Sequence, residues 1–136
     1  DASLTLAWAF REEFDAEARA VLRALETAEA WVPAVWALEV GNGLLGAERR
    51  GRLVWADAVR FVALLGELPI RLELDGPERM LGEVLGLARA QGLATYDAAY
   101  LDLAMRLGIP LASRDQRLIE AAVRCGVPIF RPRGAV

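Results

Sequence analysis

The sequence predicts an α/β domain with a mainly parallel sheet and helices on both of its faces. Short β-like runs alternate with helical segments along the whole chain, each long enough for a crossover. At 136 residues, with 55% hydrophobic and 26% charged content, the chain is sized and balanced for one compact domain. No repeat or low-complexity stretch interrupts the alternation.

Taken in order, Phe14 to Ala28 carries Val21, Leu25 and Ala28 at helical spacing. AWVP follows as a short strand closed by Pro33. Ala34 to Arg50 reads as a helix, with Arg49 and Arg50 in its last turn and Gly51 just past its end. Leu53 to Leu65 forms the next helix, and PIRLEL, from Pro69 to Leu74, alternates with period two as a half-buried or edge strand should. A helix after Gly76-Pro77-Glu78 runs to about Gln91 and stops at Gly92. Thr95 then stands where an N-cap would begin a helix through Leu107, closed by Gly108. Ile109 to Ser113 and Val127 to Phe130 read as strands around a helix from about Gln116 to Cys125.

Composition excludes several kinds of chemistry. There is no histidine and no lysine, and all 16 basic residues are arginine. Histidine triads, imidazole zinc sites, Schiff bases and lysine-dependent phosphate loops each lack an essential group. Cys125 alone forms no internal disulfide, which fits a reducing cytosol, and with no histidine to activate it the thiol reads as a packed apolar residue. Apolar runs such as Phe61 to Gly66 fall far short of the roughly 18 to 20 residues of a bilayer span, so a soluble protein without a membrane partner is expected. No secretory leader opens the sequence. The net charge of −3 argues against a generic nucleic-acid coat. Arginines nevertheless gather at Arg49, Arg50 and Arg52, at Arg114 and Arg117, and at Arg131 and Arg133, either as solvated helix ends or as local phosphate contacts.

Four acids occupy positions where a strand ends or a helix face turns inward, namely Asp1, Glu39, Asp97 and Asp115. Asp115 follows the strand Ile109 to Ser113, at the carboxyl end where sites of parallel folds lie. It also suits the cap of the next helix, and Asp97 also suits a first turn. Glu39 has no such local use, because mid-helix among Trp36, Val40 and Leu44 it gains nothing from capping. Asp102 and Glu120 read as exposed helix residues. Converging carboxylates repel one another and call for a cation, and a hard divalent ion, Mg²⁺ or Mn²⁺, matches an oxygen donor set and can activate water without histidine.

DAS at the start, LEVGN, TYDAAYLDLA and LASRDQRL together resemble the PIN-domain ribonucleases, in the family's order and across essentially the whole chain. Within that family the chain is most similar to VapC, the toxin of type II toxin-antitoxin pairs. The resemblance implies a single PIN-like domain over residues 1–136, a three-layer α/β/α sandwich, and Mg²⁺- or Mn²⁺-dependent endoribonuclease activity. It further implies an RNA substrate, homodimers and a cognate antitoxin that blocks the site. Residue by residue, it makes Asp1, Glu39, Asp97 and Asp115 the catalytic, metal-binding acids, with Asn42 and Ser113 as small polar neighbours. The family has an apolar strand ending at its first aspartate, so that strand's residues are expected to precede Asp1. Alternatives are a housekeeping RNA-processing nuclease and an inactive PIN-like binding module. A haloacid-dehalogenase-type phosphatase is disfavoured, because Ser3 stands where a second aspartate is needed and the required lysine is missing.

Overall fold

A computed structural model describes residues 1–131. Arg133 and the other residues after Arg131 lie outside the described residues, so the expected arginine pair there is left with Arg131 alone. In chain order the elements are α1 (Ala2–Ala7), α2 (Ala16–Ala24), β1 (Ala30–Pro33), α3 (Val35–Arg49), α4 (Trp55–Glu67) and β2 (Ile70–Glu73). Then follow α5 (Pro77–Arg79), a π-helical turn (Met80–Val84), α6 (Leu85–Gln91), α7 (Thr95–Leu107) and α8 (Gln116–Arg124).

Local chemistry sets most of these boundaries. The Asp15 carboxylate caps α2 by accepting from the Ala18 N–H at 3.0 Å, so α2 starts two residues later than the apolar spacing alone suggests. Gly92 takes φ +67°, a conformation that ends α6 in the left-handed region glycine tolerates. Thr95 is not the cap of α7, since Ala94 holds that position without a side-chain hydrogen bond and Thr95 is already helical.

β1 and β2 pair in parallel, with Ala30 opposite Ile70 and Pro33 opposite Glu73. The two later strand candidates shrink to a single parallel bridge, Leu111 to Ile129, held by Leu111 N–H to Pro128 O at 2.9 Å and Phe130 N–H to Leu111 O at 2.8 Å. Pro110 and Pro128 each remove a donor from these segments, which limits the ladder. The α/β class with parallel pairing therefore holds, while the described residues carry two separate parallel pairs instead of one sheet. Between the pairs lies an apolar cavity of about 340 Å³, with Ala30, Val32 and Ile70 on one side and Ile109, Leu111 and Phe130 on the other.

Two buried clusters frame the future site. Tyr100, Leu101 and Ala104 of α7 pack with Leu111, Leu118, Ala121, Ala122 and Val127, and Cys125 joins them as the apolar residue expected. Ala2, Val40, Leu44 and Leu65 form the second cluster, joining α1 to α3 and α4. α1 can approach α3 closely because residue 43 is glycine, where an added Cβ would stand 2.4 Å from Leu6 Cδ1. That contact seats the Asp1 end of α1 beside the helix that carries Glu39.

Candidate active site

Asp1 is the N-cap of α1, a use the apolar segment after it did not disclose. Its Oδ1 accepts from the Leu4 N–H at 3.2 Å and from the Ser3 hydroxyl at 2.7 Å. Its Oδ2 accepts from the Ser113 hydroxyl at 2.7 Å, and its amino nitrogen donates to Ala112 O at 2.6 Å. Burial pulls that amino group down to about 5, against the nearby Glu39 charge, which raises it. Ser113, only 3% exposed, also accepts from the Asp115 N–H at 3.0 Å. One hydroxyl thus ties Asp1 to the backbone of Asp115. Asp115 in turn caps α8, its Oδ1 accepting from the Leu118 N–H at 3.1 Å.

The other two acids come from helix faces. Glu39 sits half-buried in the middle of α3, and the Tyr100 hydroxyl donates to its Oε1 at 2.7 Å. Burial raises its pKa; the Tyr100 bond opposes this, and the Asp97 charge adds to it. Asp97 lies in the first turn of α7, three residues before Tyr100, so both side chains share one helix face. Its pKa is raised by burial first and by the Asp115 charge second, with Arg117 opposing. The phenol of Tyr100 is pushed far above its ordinary value, by burial and then by its bond to Glu39.

Glu39 and Asp115 both raise or are raised through Asp97, so these three acids share one electrostatic neighbourhood, and Ser113 attaches Asp1 to it. Among the described residues, however, no three acidic, cysteine or histidine side chains stand close enough to one point to hold an ion as placed. The fit to a divalent cation therefore rests on donor chemistry. The set offers hard carboxylate oxygens, the kind Mg²⁺ and Mn²⁺ take, and two of the acids are strained by charges an ion would neutralise.

Asn42 is exposed on α3, one turn beyond Glu39, and makes no side-chain hydrogen bond to the acids among the described residues. Asp102 corrects an expectation, for it is 7% exposed. Arg79 binds it with two nitrogens, at 3.1 and 2.8 Å, and Arg106 with a third at 2.9 Å. Glu120 is exposed as expected. Of the arginine clusters, Arg52 pairs with Glu12 and Glu13, Arg114 is bound to Asp15 and Glu13 O, and Arg117 donates to Gly92 O at 3.3 Å while its charge acts on Asp97. Sequence reasoning missed Tyr100, Ser3 and Thr5. The i to i+3 spacing from Asp97 could have flagged Tyr100. Thr5 is buried between the Trp36 Nε1–H it accepts, at 3.0 Å, and the Asp1 carbonyl it donates to, at 3.0 Å.

Comparison with protein families matches residues 1–124 to the PIN domain. Ribonuclease VapC3 of Pyrobaculum aerophilum is 34% identical over 84 residues, 62% of this chain and 64% of that protein. Exonuclease VapC9 of the same organism is 37% identical over 82 residues, 60% of this chain and 58% of that protein. The aligned stretch thus spans under two thirds of either curated relative. Among solved structures, the crystal structure of PAE2754 from Pyrobaculum aerophilum superposes with a TM-score of 0.67 at 29% identity, covering 89% of this chain and 82% of that one.

Proposed function

Since the chain belongs to the PIN-domain family, we propose that it is a Mg²⁺- or Mn²⁺-dependent endoribonuclease of the cytosol, the VapC-type toxin of a toxin-antitoxin pair. The observation that carries this reading is the pair of raised carboxylates, Glu39 and Asp97, repelling each other beside Asp115 and the Ser113-held Asp1. Burial raises both first, and the like charges add to it, with Arg117 and the amino group of Asp1 offsetting them in part, a combination common at functional sites.

Asp1, Glu39, Asp97 and Asp115 are the residues that would hold the ion. When bound, such an ion lowers the pKa of a coordinated water and neutralises charge developing on a phosphodiester. The chain's own groups do the positioning. Ser113 fixes the Asp1 carboxylate against the segment that leads into α8 and presents Asp115. α1 and α8 orient Asp1 and Asp115 through their caps, which leaves each with acceptor capacity to spare. Arg117, whose charge acts on Asp97, would meet a substrate phosphate.

A cognate antitoxin fits the same charges, because a guanidinium from a peptide can pair with the carboxylates and block the site. A homodimer is part of the proposal on family grounds. The inactive-module reading draws on one observation, that no three acids close on a point as placed. A single assay separates these readings. Purified protein should cleave single-stranded or looped RNA in Mg²⁺ or Mn²⁺, stop in EDTA, and lose cleavage in Asp97→Asn. Undiminished cleavage in excess EDTA would refute metal dependence, and no cleavage with either ion would favour the binding module. Co-expression with the adjacent small open reading frame tests the toxin assignment, and a neighbour that neither binds nor inhibits would promote the housekeeping nuclease.

A further inference from the structure

Glu39 and Asp97 ride on different helices, and what sets their relative position is a question the site's acids alone do not answer. α3 and α7 are far apart in sequence, and the Tyr100 to Glu39 bond, spanning 61 residues, is the one hydrogen bond between them among the described residues. Tyr100 is 4% exposed and packed among Leu101, Leu111 and Leu118, so its ring is held by the core and its hydroxyl cannot swing to water. Val35 and Trp36 of α3 pack on that same cluster, which brings the start of α3 to the ring. The phenol occupies one Glu39 oxygen and leaves the other for a second partner.

We propose that Tyr100 is a positioning residue for a divalent ion, holding the Glu39 carboxylate in the orientation from which its other oxygen serves the Asp97 side of the site. This rests on the proposed metal dependence. Ligating carboxylates that lack their outer hydrogen bond bind metal about 10- to 100-fold more weakly, because orienting the ligand then costs entropy at each binding event. Besides Glu39, the hydroxyl meets the backbone N–H of Ala2 at the start of α1.

The test compares wild type, Tyr100→Phe, Glu39→Gln and the double variant by titration calorimetry with Mn²⁺ alone. Tyr100→Phe keeps the ring and removes only the hydroxyl. It should weaken Mn²⁺ binding about tenfold while kcat at saturating Mn²⁺ recovers most of its wild-type value. In the Glu39→Gln background the same change should have little further effect on Mn²⁺ affinity, since the amide still accepts from the phenol but is no longer the carboxylate the phenol orients. A structural role would persist undiminished in the double variant and would lower kcat at every Mn²⁺ concentration. Unchanged Mn²⁺ affinity in Tyr100→Phe, in a wild type that binds the ion, overturns the role of Tyr100 alone. A wild type that binds no Mn²⁺ overturns the metal reading and this inference together. Circular dichroism in EDTA checks that each variant is folded, and a Tyr100→Phe that binds Mn²⁺ normally only after refolding would count against the proposal.

Discussion

Replacing Asp97 by asparagine removes one of the repelling charges while keeping size and shape, and in metal-free protein it should raise stability. Neighbouring half-exposed like charges, at an effective dielectric of about 40, repel by about 1 to 2 kcal/mol. Against this, a negative charge in the first turn of a helix is worth about 0.5 kcal/mol through the dipole, and asparagine gives that up. The net gain is about 1 kcal/mol, a rise of about 3 to 4 °C in Tm for a domain of this size. The pH dependence has a defined sign. Because the folded-state pKa of Asp97 is raised above 3.8, its favourable contribution is full below the unfolded value and is lost as pH rises through the folded value. The variant's advantage should therefore vanish below pH 3.8 and grow to its plateau near pH 7. The amino group held down to about 5 has the opposite slope, but it is common to both proteins and cancels in the difference. Thermal melts of both proteins in EDTA across this range measure the effect. Saturating Mn²⁺ should invert the order, since a ligand at about 100 times its Kd stabilises wild type by about 2.7 kcal/mol. A variant less stable than wild type at pH 7 in EDTA, or a difference flat with pH, would refute the reasoning. Asp115→Asn is a weaker version of this experiment, because Asp115 also caps α8.

Ser113→Ala strips a donor from Asp1 and an acceptor from the Asp115 N–H, and should lower stability by about 1 to 3 kcal/mol, read from the urea midpoint at unchanged slope. Asp102→Ala leaves Arg79 and Arg106 facing each other without their shared carboxylate; it should cost about 2 to 4 kcal/mol, below the fully buried case because both arginines still reach solvent. A loss under 1 kcal/mol in the same denaturation would place that pair among ordinary surface bridges.

Much of this molecule is written in short-range signals. The helix after Pro33, the stops at Gly51, Gly92 and Gly108 and the strand AWVP were legible because apolar period, glycine at positive φ and proline act within a few residues. The α/β class was legible for the same reason, as was the oddity of a glutamate in the apolar middle of α3. Local reading also found the cap at Asp115 and the first-turn acid at Asp97, yet it could not tell that such a residue can also be a member of an acidic group. That depends on what the far side of the chain brings. Ser113 reaches Asp1 across 112 positions and Tyr100 reaches Glu39 across 61, and neither spacing leaves a trace in a local window. Asp102 was misread because its helical neighbourhood looks exposed, and its burial is made tolerable by Arg106 one turn on together with Arg79, which arrives from another segment. The strands around Pro110 and Pro128 failed to extend for a similar reason, since a strand's length is set by the partners that accept its hydrogen bonds as much as by its own residues.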